Sequence, residues 1–308
     1  MSFLLEAIIN MSKIGIVTVL YNSEKVLDDF FRTLNAQTFK DFTLYVIDNA
    51  STDNGLEVAR ELAETVSFKT VFFPEPENWG VAKGNNIGIR AALSDGCEFI
   101  LLSNNDVVLE SGTIQSLLDG ITQIKSDMVV PKIYYYGTNK IWSFGGTYRY
   151  YKGMTVQYGQ MEEDSDRFND TLFCDYSPTC FMLIKADVFE KVGMMDEKYF
   201  VYFDDTDFVW RAVIQNSLKL AVIPNSKLWH KESVCTGGVM SDFAIKYLAR
   251  NSWYFVLKNF KFPQKHLTVA YMWLRSLLWK PIRLPKNQYG ILRAAEREGR
   301  KLYRSTRK

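Results

Sequence analysis

The sequence predicts an α/β fold, a doubly wound and mostly parallel sheet followed by a helical C-terminal extension. Three observations carry that prediction. Short β-branched runs alternate with helical stretches through roughly the first hundred residues, polar residues gather where those runs end, and the charge changes abruptly near Lys258. At 308 residues and 47% hydrophobic, the chain can bury one large α/β domain with an appendage.

The elements follow in order. IGIVTVL (14–20) reads as a buried strand, and a helix follows from about Ser23 to Ala36 with Ser23 placed to cap it. FTLYVID (42–48) repeats the strand signal. Asn49 to Asp53 reads as a turn with Asp53 as a helix cap, and the helix runs from about Asn54 to Glu64. FKTVFF (68–73) supplies a third strand, residues 81–92 a helix, and CEFILLS (97–103) a fourth strand. Strands buried on both faces read as continuous apolar runs, as these do.

The second half is less regular. Residues 133–177 are rich in Tyr and Gly, which suggests antiparallel strands or a mobile flap, with EEDSDRFND (162–170) as a solvated loop. An acidic helix start lies at Asp204 to Asp207, and a long helix spans about 240–259. No CxxC pair occurs among Cys97, Cys174, Cys180 and Cys235, so a zinc ribbon is excluded and the cysteines read as the reduced thiols of a cytosolic protein. The N-terminal segment is too short for a membrane span and lacks a basic n-region, and either Met1 or Met11 serves as the start.

In open α/β sheets, ligands bind beyond the carboxyl ends of the strands. Three polar clusters sit at such ends: Tyr21-Asn22, Asp48-Asn49, and Asn104-Asn105-Asp106. Turn formation explains any one of them, and a ligand site explains all three. The glycines of NWGVAKGNNIG (78–88) recur every four residues, matching neither a dinucleotide fingerprint nor a Walker loop. They open a helix that can lie close to the sheet or to a ligand, with Lys83 in reach of a phosphate. In DDTDFVWR, Asp204 reads as an N-cap and Asp207 as the partner of Arg211 four residues on, which leaves Asp205 without a structural task.

From Lys258 to Lys308, fourteen Lys or Arg face only two acids, Glu296 and Glu298. YMWLRSLLWKPIRL (271–284) interleaves that charge with large apolar side chains. Such a composition suits an anionic membrane face, and a helical hairpin with a solvated basic face accounts for it equally. A nucleic-acid tail is the third option, but no recognised binding motif accompanies the charge.

Taken together, IVTVLYN (16–22), VIDNASTDNG (46–55), the 78–88 helix start, LLSNNDV (101–107), VGMMDEKYFVYFDDTDFVWR (192–211) and LWHKES (228–233) resemble the inverting family 2 glycosyltransferases of GT-A fold, in particular their bacterial rhamnosyltransferase-like branch. The resemblance covers roughly residues 13 to 235. It implies an N-terminal extension (1–12), a GT-A domain (13–235) with a nucleotide-binding half (13–110) and an acceptor half (111–235), and a basic helical extension (236–308). It further implies transfer of a sugar from a nucleotide-diphosphate donor, dTDP- or UDP-linked, to a glycan or lipid-linked acceptor of a bacterial surface polysaccharide. The enzyme would be cytoplasmic and peripheral on the inner face of the membrane, with no nucleic-acid partner.

Residue by residue, the resemblance makes Asp205 the general base on the acceptor hydroxyl, with Asp204 beside it on the acceptor side. Asp106 and His230 match the ligands of a divalent cation, Mn²⁺ or Mg²⁺. Asn104 stands where many relatives carry a second Asp, so one charge is missing from the site. Thr18, Tyr21, Asp48, Asn78, Lys83, Asn104, Asn105 and Asp106 fall to the donor, while Asp196 and Glu197 either shape the acceptor side or fix a loop. Two other functions compete. A sugar-phosphate nucleotidyltransferase would need a Gly-rich basic loop where YNSEKVL stands, and a non-catalytic glycan-binding relative would fit the Asn at 104.

Overall fold

A computed structural model describes residues 14–231, 241–279 and 285–306. The N-terminal extension with its two start methionines, Cys235 and the 280–284 end of the aromatic basic run lie outside the described residues.

The first half is built as expected. Strands β1 (Ile14–Leu20), β2 (Phe42–Asp48), β3 (Lys69–Pro74) and β4 (Phe99–Ser103) are parallel neighbours in the order β4-β1-β2-β3. Their side chains alternate between two cores: Ile16, Leu44 and Val46 point to one face, and Val17, Tyr45 and Ile47 to the other. Helix α1 (Leu27–Asn35) covers the first face with Phe30, Phe31 and Leu34, and α2 (Gly55–Thr65) adds Ala59 there. Helix α3 (Gly80–Ser94) covers the second face. Its Gly84 lies against Val19 and Asn49 and its Gly88 against Val17 and Ile47, closer than any Cβ would permit, so these glycines are needed for helix-on-sheet packing.

Ser23 does not cap α1. A 3₁₀ turn (Glu24–Val26) precedes the helix, and the Ser23 hydroxyl instead accepts from the Tyr21 amide.

The second half turns the sheet from parallel to mixed. After β5 (Val107–Leu109) and α4 (Thr113–Gln123), strand β6 (Met128–Tyr135) pairs antiparallel with β7 (Ile141–Ser143). Strands β8 (Gly146–Arg149) and β9 (Met154–Gln157) form a separate hairpin, and β10 (Leu172–Phe173) edges the main sheet. Strand β11 (Phe181–Lys185) runs antiparallel to both β4 and β6, while β12 (Leu220–His230) runs parallel to β6. The main sheet therefore reads β10-β12-β6-β11-β4-β1-β2-β3. Residues 162–170 are mostly exposed, as a solvated loop would be, and are pinned at Phe168, which is buried, and at Asp164, which receives the buried Lys132 ammonium at 2.9 Å and the Tyr134 hydroxyl at 2.6 Å.

After α5 (Ala186–Val192), helix α6 (Asp204–Val209) continues as a π-helical turn (Trp210–Gln215). Among the described residues three C-terminal helices follow: α7 (Asp242–Asn259), α8 (Gln264–Leu274), running on as a π-helical turn to Trp279, and α9 (Lys286–Ser305). Helix α7 joins the second core through Trp253, Tyr254, Phe255 and Val256, and α9 packs on it through Leu292 and Ala295. Among the described residues, no helix is long and apolar enough to cross a membrane, and Cys97, Cys174 and Cys180 are not joined in a disulfide.

Candidate functional site

Strand order reverses at β1, whose neighbours β2 and β4 continue the chain in opposite directions. A cavity of about 660 Å³ opens beyond the ends of β1 and β4. Its lining includes eight of the expected residues: Tyr21, Asn78, Asn104, Asn105, Asp106, Asp204, Asp205 and His230.

Asp106 and His230 meet although they are far apart in sequence. Strand β5 begins directly after Asp106 and pairs antiparallel with the end of β12, with Val107 opposite His230. The Lys231 amide donates to the Asp106 carbonyl at 2.8 Å, which fixes the register. His230 Nε2 then lies 3.1 Å from Asp106 Oδ1 and 3.4 Å from the Asn104 amide nitrogen, with the Trp142 ring 4.5 Å away. Burial alone would raise the Asp106 carboxyl, but the imidazole and the Asn104 amide outweigh it and hold the group below the ordinary range.

The residues fit a divalent cation. Asp106 Oδ1 is buried, and the His230 nitrogen facing it is Nε2, 3.1 Å away, so these two atoms can turn to one ion. Adjacent ligands about 2.1 Å from one ion in octahedral geometry lie about 3 Å apart, the separation found here. Imidazole with carboxylate favours Mn²⁺ over Mg²⁺. Among the described residues no three His, Cys, Asp or Glu side chains cluster around a common point, so the remaining ligands would have to come from elsewhere.

Asp205 is placed by α6. The backbone at Tyr202 and Phe203 is left-handed, with φ of +61° and +67°, so the helix starts on a sharp turn capped by Phe203 and not by Asp204. Asp204 is the first helical residue and is buried. Three donors converge on Asp205: the Tyr176 hydroxyl at 2.7 Å, the Thr206 amide at 2.6 Å and the Thr206 hydroxyl at 3.1 Å. Burial raises both carboxyls, and the neighbouring Asp205 charge helps push Asp204 up to about 8. The Tyr176 and Thr206 donors oppose the rise at Asp205, whereas burial and the Asp205 charge act together on Asp204.

Asp207 is a structural anchor. It pairs with Arg211 at 2.8 Å as expected, and also with Lys258 at 2.8 Å and Asn259 at 2.8 Å from α7. Asp196 and Glu197 fix the preceding loop: Asp196 binds Tyr254 and Lys258, and Glu197 binds Asn86 and Arg90.

Three expected donor residues do not line the cavity. Thr18 is fully buried on β1. Asp48 faces the Ser51 amide within its own turn. Lys83 sits over the Trp79 ring, 3.1 Å from its centroid, so its charge is taken by cation–π contact. Asn49, from the second polar cluster, lines the cavity while donating to the Gly80 carbonyl. Side chains without an assigned role also line it, with Trp142, Phe200, Tyr202, Phe243 and Tyr247 forming aromatic walls. Phe243 and Tyr247 stand one helical turn apart on α7, a pattern that in sequence reads as ordinary core.

The description "Glycosyl transferase family 2" matches residues 15–193, more than half of the chain, and the chain belongs to that family. A cholesterol galactosyltransferase of Borreliella burgdorferi is 27% identical over 132 residues, which are 43% of this chain and only 36% of that relative. The dTDP-rhamnosyl transferase RfbF of Shigella flexneri is 24% identical over 271 residues, covering 80% of this chain and 81% of the relative. The solved structure of the mannosyltransferase PcManGT from Pyrobaculum calidifontis, in complex with GDP-Man and Mn²⁺, has the same fold: TM-score 0.59, 14% identity, 93% of this chain and 75% of that one.

Proposed function

We propose that this protein moves a sugar, with inversion, from a nucleoside-diphosphate donor to a hydroxyl of a glycan or lipid-linked acceptor in surface-polysaccharide synthesis. The observation that carries the reading is that Asp205 and the Asp106–His230 pair line one cavity at the strand ends. The likeness to a dTDP-rhamnosyl transferase over most of the chain favours a dTDP-sugar donor, and UDP-sugars remain the other candidate class.

Asp106 and His230 would hold the divalent ion, which when bound neutralises the charge growing on the departing diphosphate. Asp205 takes the proton of the acceptor hydroxyl. Its burial makes it a stronger base than a surface carboxylate, and the Tyr176 and Thr206 hydrogen bonds keep it ionised and oriented. The raised Asp204 carboxyl beside it favours a single charge on the pair. The aromatic walls exclude water and offer apolar faces to a sugar ring. Attack from the side opposite the nucleotide gives inversion in one displacement, with no covalent enzyme intermediate.

The test is thermal stabilisation by UDP, dTDP, GDP and CMP, each with and without Mn²⁺ or Mg²⁺, since a ligand bound only by the native state raises its melting temperature. One nucleotide should stabilise in a metal-dependent way that Asp106→Ala abolishes. No stabilisation by any of them, or stabilisation that survives Asp106→Ala, refutes the reading.

A further inference from the structure

Helix α8 is apolar on two opposite sides, and the protein covers only one. On the inner side Met272 is buried, the Thr268 hydroxyl donates to the Tyr150 carbonyl at 2.9 Å, and the Ser276 hydroxyl donates to Glu296 at 2.7 Å. On the outer side Leu267, Ala270, Leu274 and Leu278 recur at spacings of three and four. Leu267 is 67% exposed, Leu274 57% and Leu278 58%, and Phe262 just ahead of the helix is 80% exposed. Scattered surface leucines need no explanation, but a continuous stripe on a helix whose other side is already packed marks a surface built to be covered.

The surrounding charge selects the partner. Lys261 and Arg275 are exposed beside the stripe, and α9 exposes Arg297, Lys301 and Arg304. The two acids of the segment are engaged, Glu296 buried against Ser276 and Glu298 paired with Arg250 at 2.9 Å. A second copy would bring a segment of fourteen Lys or Arg and two acids against itself, and like charges at an interface oppose association. An anionic bilayer accepts both features: leucines enter the acyl boundary while cations meet the headgroups.

We propose that α8 docks the protein on an anionic phospholipid surface, lying in the interfacial plane with the Leu267–Leu274–Leu278 stripe inserted. The inference goes beyond the transfer reaction and stands without it.

The experiment is co-sedimentation of the full chain with vesicles of phosphatidylcholine alone or mixed with phosphatidylglycerol, set beside the triple variant Leu267→Gln, Leu274→Gln, Leu278→Gln. All three side chains are exposed, so the variant should melt with the wild type. The wild type should favour the anionic vesicles at least about tenfold, less so at high salt, and the triple variant should lose about 100-fold in partitioning. Equal binding by wild type and variant, or equal binding to both vesicle types, overturns the proposal. So does a wild-type dimer that the triple variant turns into a monomer without vesicle binding, which assigns the stripe to a second copy. Binding that emerges only once residues 1–13 are removed also overturns it, assigning the stripe to that segment.

Discussion

Replacing Asp204 by Asn tests the electrostatics of the Asp204–Asp205 pair directly. In the folded protein the Asp204 carboxyl sits at about 8 against an ordinary 3.8, because burial and the Asp205 charge both oppose its ionisation. A folded-state pKa raised above the unfolded one means that the native state holds a proton the unfolded chain has released. The resulting stability is fully present below about pH 4 and is lost as pH rises through about 8. The slope is about 1.4 kcal/mol per pH unit well below pH 8 and halves at pH 8, which gives roughly 2 kcal/mol between pH 6 and pH 8. For a chain of this length, that lowers the melting temperature by roughly 3–4 °C over those two units. Asp204→Asn, neutral throughout and nearly isosteric, should flatten most of this decline and melt higher than wild type at pH 8. The assay is differential scanning calorimetry of the metal-free protein in matched buffers from pH 5.5 to pH 8.5. Parallel declines in the two proteins would show that Asp204 is ionised at neutral pH, and the assignment of the charge to Asp205 would fall with it.

Asp205→Asn should lower kcat by about 10²- to 10⁴-fold while nucleotide-dependent thermal stabilisation persists, and an active Asn variant would remove Asp205 from the chemistry. Tyr176→Phe deletes a hydrogen bond that favours the charged form of Asp205, so the acid limb of the kcat/KM profile should move up by about one pH unit. An unmoved limb would mean that the Tyr176 contact is absent in the working enzyme. Lys258→Met strips one cation from buried Asp207 and from Asp196, and chemical denaturation should register a loss of about 3 kcal/mol.

The parallel half of the sheet was legible because its cause is local. Runs such as IGIVTVL and FTLYVID must be buried on both faces, and their period-2 alternation delivers side chains to two cores wherever the strands are placed. The small-residue pattern was legible for a similar reason, since a helix pressed on a sheet admits no Cβ at 84 and 88, while Gly80 answers to a left-handed backbone and the Phe200 carbonyl. Boundaries also held to within a few residues for the long α7. Lys83 shows the limit of such reading. A lysine at a helix start beside a strand end suggests a phosphate ligand, and only the side-chain geometry reveals Trp79 beneath it.

By itself, the sequence singled out the residues proposed to carry chemistry: one carboxylate after the fourth strand, one histidine at the end of β12, and an acidic helix start in which the family resemblance points to Asp205. Tertiary structure decided what those residues became. Antiparallel pairing of β5 with β12 set Asp106 against His230, burial beside Asp205 raised the Asp204 carboxyl, and the packing of α7 turned Phe243 and Tyr247 into a cavity wall. Each of these depends on groups distant in the chain or on the removal of water from around them. Neither distance nor dielectric is written in the local pattern of residues.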